Sequence, residues 1–258
     1  MAKQVPAVRK STAVGAPLNY MERMAALAKD ATKQEESVSS GAFISFKGGR
    51  LSYQGNPIKG DELDVVVLDS VLENCYYGGE YDPDNPQPPV CYAFGRTEEE
   101  MAPHANSSAP QSEKCAGCPM NEFGSAEKGK GKACKNVRRL GLIPGDNLSP
   151  EGVKTAEIAY AKLPVTSVKG WAAYVRALST LDKVPPLGAV TTIGVVPDDK
   201  SQFRVTFNKS AIIPEKVLGA VFARHDSLKD EIMFPYPSPT AEEPPAKTKK
   251  PAGKRAKF

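Results

Sequence analysis

The sequence predicts an α+β protein, mainly β, on three observations. Period-two runs of β-branched and aromatic residues recur between positions 43 and 207, and only a few stretches carry the 3.6 period of a helix. The 21 Gly and 23 Pro of 258 residues, with only 40% hydrophobic residues, make Gly plus Pro about 17% of the chain against an ordinary figure near 12%. Much of the chain is therefore loop or tail, and what remains suffices for one elaborated domain, expected at 18–234.

Residues 1–17 mix Lys3, Arg9 and Lys10 with Ala, Val, Ser and Pro and have no period that would bury a face, so they read as a disordered basic arm. Met21, Met24, Ala25 and Leu27 share a helical stripe behind Asn19 as a cap, and the helix is expected to end near Lys33-Gln-Glu-Glu-Ser37. The period then changes to two. Ile44 and Phe46 point one way and Phe43 and Ser45 the other, Lys47-Gly-Gly-Arg50 supplies a turn, and Leu51-Ser-Tyr53 returns as a hairpin. After the break at Asn56-Pro57, residues 62–72 read as a strand whose Val-rich middle is buried on both faces, with Tyr76 and Tyr77 at its end.

Residues 78–89 are acidic and hold four prolines, which excludes a central strand. Cys91-Tyr-Ala-Phe94 is extended again, 97–135 is polar and rich in Cys, Gly and Lys, and 137–143 re-enters as a strand. A further strand is expected at 158–165, then a helix capped by Thr166 or Ser167 that carries Val168, Trp171, Ala172, Val175 and Leu178. Residues 187–196 and 202–207 flank Pro197-Asp-Asp-Lys-Ser201 as the clearest hairpin. Pro214 opens a last helix with Val217, Leu218, Val221 and Phe222 on one face. Residues 235–258 read as a disordered Pro/Lys-rich tail.

The most specific signal is Cys115-Ala-Gly-Cys118, followed after fifteen intervening residues by Cys134 and preceded by ten with His104 ahead of it. Two thiolates on one tight turn suit a tetrahedral Zn²⁺, and a distant pair completes the shell. His104 is the first candidate for the fourth ligand, Cys91 the next and Cys75 the last. Buried free cysteines are the plainer explanation, but Gln111-Ser-Glu-Lys114 and Gly129-Lys-Gly-Lys132 offer nothing apolar to bury them in. A redox Cys-x-x-Cys would need a βαβ context that is missing here. No glutamate stands in a His-Glu-x-x-His or His-x-Glu pattern, so the zinc is expected to be structural, holding an insertion at about 97–136.

Lys128, Lys130, Lys132, Lys135, Arg138 and Arg139 fall within twelve positions and are interleaved with glycines that let backbone amides approach a phosphate. Gly124-Ser-Ala-Glu-Lys-Gly-Lys130-Gly131 misses the P-loop because Gly131 replaces the hydroxyl that would hold Mg²⁺. A solvated charged loop is the plainer reading of any lysine run. Here three of the lysines lie between two expected metal ligands, which would present them at one place. Aromatic rings at Phe43, Phe46, Tyr53, Tyr76, Tyr77, Tyr92 and Phe94 accompany the strands. Most are expected in the core, with Tyr53, Tyr76 and Tyr77 as candidates to stack on single-stranded bases and Lys47 and Arg50 as neighbouring cations.

Catalysis has few bases to draw on among two histidines, and His225 reads as a surface residue near a helix end. Asp61, Glu62 and Asp64 flank a turn and do not make the carboxylate cluster of a nuclease. Trp171 reads as packing. An odd number of five cysteines, no secretory signal at the start and no apolar run of about 18 residues point to a reducing cytoplasm without a membrane span. The balance of 34 basic and 30 acidic residues, net +4, leaves the partner open.

The run Cys115-Ala-Gly-Cys-Pro-Met-Asn-Glu-Phe-Gly-Ser125, continued by Gly129-Lys-Gly-Lys-Ala-Cys134-Lys-Asn-Val-Arg-Arg-Leu140, resembles a block in single-stranded DNA-binding proteins of tailed bacteriophages. Pro103-His104, Lys162-Leu-Pro-Val-Thr166, Pro185-Pro-Leu-Gly-Ala-Val-Thr-Thr192 and Phe203-Arg-Val-Thr-Phe207 are similar to that group as well. The resemblance spans about 43–207, is specific in the cysteine block and loose elsewhere. It implies an OB-like barrel with a zinc-held insertion at Cys115, Cys118, Cys134 and His104, and a non-enzymatic protein that coats DNA in phage replication, recombination and repair in the host cytoplasm. Phage or host replication proteins are a further partner class it implies. Many such proteins end in an acidic tail; this one carries Lys247, Lys249, Lys250, Lys254, Arg255 and Lys257, which instead suit DNA. The alternative reading is a zinc-ribbon module that binds proteins without touching single strands.

Overall fold

In the computed structural model the described residues are 24, 42–79, 87–146 and 148–237. The basic arm, the helix expected from Asn19 except for the helical Met24, and the tail beyond Pro237 lie outside them.

Among the described residues nine strands form one sheet: β1 (Phe43–Ser45), β2 (Ser52–Tyr53), β3 (Asn56–Pro57), β4 (Glu62–Tyr76), β5 (Cys91–Gly95), β6 (Lys135–Pro144), β7 (Ala159–Leu163), β8 (Ala189–Asp198) and β9 (Gln202–Ile212). Their order is β3-β2-β1-β7-β6-β4-β8-β9, with β5 paired to β4. Neighbours are antiparallel except β1 and β7, which run parallel. The long β4 is the spine. β6 follows one of its edges from Val65 to Cys75, while the other edge is shared between β8, opposite Glu62–Val65, and β5, opposite Leu72–Tyr76.

The protein is thus α+β and mainly β, as expected. The sheet curls into a half-barrel that stays open, since no pairing among the described strands joins β9 to β3.

Side-chain alternation along β4 builds two cores, one on each face of the sheet. Val65 and Val67 join Leu140, Leu142, Ala161, Leu163 and Ile193 on one face, under helix α2 (Val165–Ala177) with its Trp171 and Tyr174. Val66, Leu68 and Val71 join Ile143 on the other, under α1 (Pro150–Thr155) and α3 (Glu215–Glu231). Helix α3 comes close because position 141 is glycine; any side chain there would run into Leu228.

Two helix details depart from expectation. Helix α2 begins after Pro164, and Ser167 does not cap it: its Oγ accepts from the Val205 backbone N–H at 2.9 Å and so ties the helix to β9. On α3, Val217 and Val221 are buried but Phe222, one helical step off that face, is half exposed.

Tyr236, read from sequence as part of the tail, packs into the folded body. Glu73 on β4 is fully buried and holds Arg139 of β6 at 2.8 Å and Lys162 of β7 at 3.0 Å. Arg139 also donates to the carbonyls of Ile232 (3.1 Å) and Phe234 (2.9 Å), and its guanidinium lies 4.3 Å and 4.2 Å from the ring centres of Phe94 and Phe234. The Tyr236 hydroxyl donates to Glu73 and accepts from Lys162. Arg139, at 1% exposure, is therefore a core cation and not the nucleic-acid contact expected of it. A guanidinium with no access to water needs a counter-charge, and Glu73 supplies it.

Burial alone would raise the Glu73 carboxyl. The charges of Lys162 and Arg139, with hydrogen bonds from Tyr236 and Arg139, overcome that and lower it from the usual 4.5 to about 2. Because the folded value lies below the unfolded one, the stability Glu73 contributes is complete above pH 4.5 and is lost as pH falls from 4.5 toward 2. Glu73→Gln leaves two cations without their partner and is expected to lower unfolding stability in urea at pH 7 by about 3–5 kcal/mol. The same variant should flatten the acid limb of the stability curve.

Candidate metal centre and nucleic-acid interface

The insertion leaves the sheet after β5 and returns at β6, with one short 3₁₀ turn at Pro119–Asn121 as its only regular structure. Its apolar support is small: Leu72, Ala93 and Met101 are buried together, with Cys115 packed against them. Backbone hydrogen bonds do the local folding. Cys118 N–H donates to the Cys115 carbonyl (3.3 Å), Asn121 N–H to that of Cys118 (2.8 Å), and Cys134 N–H to that of Met120 (2.8 Å), which returns Cys134 to the Cys-x-x-Cys turn. Gly117 sits at φ 75°, a conformation the turn requires and a side chain resists.

Cys91, Cys115, Cys118 and Cys134 all line one cavity of about 20 Å³, together with Asn74 and Tyr76. That is room for one water-sized body. The alternation of β4 explains the membership. Asn74 and Tyr76 lie opposite Ala93 and Cys91 of β5 and face the cavity, whereas Glu73 and Cys75 point to the other side. Cys75 is fully buried there, 3.3 Å from Glu73 and 3.1 Å from Lys162. His104 does not line the cavity. Its ring stacks on Tyr92 at 5.0 Å, and its Nδ1 accepts from the Asn106 backbone N–H and lies 3.1 Å from the Tyr92 hydroxyl. Cys91, the second candidate from sequence, thus lines the cavity with the other three cysteines, and His104, the first candidate, does not.

Burial first, and neighbouring thiols second, push the Cys134 thiol up to about 12. Cys91 and Cys115 are raised by the same two causes, partly offset by hydrogen bonds that include one between Asn74 and Cys115. As the side chains stand, no three His, Cys, Asp or Glu among the described residues already form a metal-holding group, so gripping an ion requires the sulfurs to close in. The donor set itself, four sulfurs around a small cavity, is the one that tetrahedral zinc takes in closed sites.

A chain of asparagines joins the cavity to the basic loop. Asn136 Nδ2 donates to Asn74 Oδ1 (2.6 Å) and Asn121 Oδ1 (2.9 Å), Asn121 Nδ2 donates to the Cys115 carbonyl (3.1 Å), and Lys132 Nζ donates to Asn121 Oδ1 (3.2 Å). Sequence reading missed these residues, since the pairing of Asn74 with Asn136 is visible only once β4 and β6 are in register.

Of the expected nucleic-acid contacts, Lys128, Lys130 and Lys135 are exposed, and Lys132 and Arg138 are half-buried. Tyr77 is exposed with Lys162 Nζ 3.3 Å from its hydroxyl, while Tyr76 is half-buried at the cavity. Lys47, Arg50 and Tyr53 belong to the β1–β2 hairpin, whose Gly49 lies against Phe203 of β9. There Arg50 pairs with Asp61 at 2.9 Å, and burial with nearby Glu157 pushes the Tyr53 hydroxyl up to about 12. Phe46 and Tyr92 are buried, and Phe43 and Phe94 pack on other rings. Phe123, passed over in the sequence, is 82% exposed.

No family model matches the chain, and no curated protein or solved structure is significantly similar to it. Among the described residues, no helix is long and apolar enough to cross a membrane.

Asn121 joins three parts of the insertion. Asn121→Ala should increase the rate of tryptic cleavage after Lys128 and Lys130 severalfold while leaving cleavage within the sheet unchanged, as read by mass spectrometry of a limited digest.

Proposed function

We propose that the protein is a non-enzymatic, sequence-tolerant binder of single-stranded DNA that coats and protects exposed strands during phage replication, recombination and repair. The observation that carries this reading is the convergence of four cysteines at the root of a loop bearing Lys128, Lys130, Lys132 and Lys135. A structural zinc on Cys91, Cys115, Cys118 and Cys134 would supply four directional bonds and leave no open position for chemistry. The chain's own part is to present ammonium groups at a fixed place instead of along a floppy linker. Phosphates that meet them release condensed counterions, and binding then weakens as salt rises.

The resemblance of the cysteine block to phage single-strand binders supports the same reading, as does a curled sheet that can serve as an OB-like platform. On this view the protein works in the host cytoplasm, and replication proteins are its further partners.

Titration of oligo-dT should give an affinity that falls steeply between 50 and about 200 mM salt. Replacing Lys128, Lys130 and Lys135 together by alanine should reduce the log–log salt slope by about 2, at about 0.7 per lost phosphate contact. Salt-independent or absent binding would contradict the reading and favour a protein-interaction module. Elemental analysis should find one zinc per chain. Cys91→Ser should lose most of it and weaken oligo-dT binding, and His104→Ala should keep both.

A further inference from the structure

Phe123 stands out among the exposed apolar side chains because its backbone is pinned. Gly124 N–H, next in the chain, donates to the carbonyls of Lys130 (3.2 Å) and Gly131 (3.0 Å). Ser125 Oγ accepts from Ala133 N–H (2.9 Å), and its one proton is shared between the carbonyls of Glu122 (2.6 Å) and Met120 (3.0 Å). The ring thus projects into water, 82% exposed, from a tightly bonded knuckle.

Lys132 Nζ stands 5.2 Å from the ring centre, and its bond to Asn121 Oδ1 holds it there. Water gains nothing from an exposed benzyl group, and an ammonium beside it occupies only part of its π-surface. The open part fits a flat heteroaromatic ring, and the ammonium fits a phosphate. A nucleotide carries both groups. Bases in a duplex are already stacked above and below, so only an unpaired strand offers a free base face.

We propose that Phe123 and Lys132 form a nucleotide seat, in which an unpaired base stacks on the Phe123 ring and its phosphate meets Lys132. Asn121 is the positioning residue, acting through Lys132. The seat rests on the single-strand reading above and names the contact that would add base stacking to a largely electrostatic grip.

The test compares wild-type, Phe123→Ala and Phe123→Tyr full-length protein, each checked for equal zinc content and unfolding midpoint. Each is titrated with oligo-dT and with an abasic strand of equal length at one salt concentration. Phe123→Ala should weaken oligo-dT binding between about fivefold and about a hundredfold, the range for one stacked base. Phe123→Tyr should bind as the wild type does, and all three proteins should bind the abasic strand alike. If Phe123→Ala binds oligo-dT as tightly as wild type, the seat is refuted while the single-strand reading stands. An equal loss on both strands also refutes it, because the ring would then be shaping the loop and not stacking. If wild-type protein binds neither strand, the single-strand reading fails and the seat with it.

Discussion

A polar insertion between β5 and β6 has to be held by something other than apolar burial, and the meeting of four cysteines at one small cavity is the constraint on which the rest depends. Three buried apolar residues cannot offset the entropy of ordering the whole segment. Hydrogen bonds shape the knuckle and also tie the first part of the insertion to β5, where the His104 N–H donates to the Tyr92 carbonyl at 2.7 Å and the Ser107 hydroxyl bonds the Tyr92 backbone. The cysteine turn is joined to the sheet by the asparagines that connect β4, β6 and the loop, and a metal on the proposed site would add Cys91 of β5 to that attachment. The exposed lysines and the outward ring of Phe123 inherit whatever rigidity that root provides.

The end of β4 serves two clusters at once. Period-two alternation sends Asn74 and Tyr76 to the cysteines and Glu73 and Cys75 to a buried ion network with Arg139, Lys162 and Tyr236. The first lies at the root of the insertion, and the second clamps the C-terminal segment from Ile232 to Tyr236 onto the sheet. Conserving the side chains of one cluster without the register of β4 would therefore scramble both.

Local periodicity was enough to read most of the strands. The hairpin of β8 and β9, the Val-rich β4 and the return strand β6 all lie where alternation put them, because burial on one or both faces leaves its mark within a few residues. The Cys-x-x-Cys turn was legible for the same reason: its geometry is local. What escaped depended on contacts distant in sequence. The burial of Arg139 is set by Glu73, 66 positions away, and Tyr236 looked like tail because its partners lie on β4 and β7. That Cys91 and not His104 lines the cavity follows from the pairing of β5 with β4, which no spacing encodes. Phe123 was hidden by its neighbours, since a lone ring in a glycine- and lysine-rich run has no period to betray whether it faces in or out.

The most direct test of the central claim is zinc K-edge X-ray absorption on protein purified without added metal or chelator. Four sulfur neighbours at about 2.3 Å, with no nitrogen in the shell, are the result the account predicts. A shell of three sulfurs and one nitrogen would restore His104 and contradict the four-cysteine root. Protein that folds and binds single strands with no zinc at all would remove the root altogether.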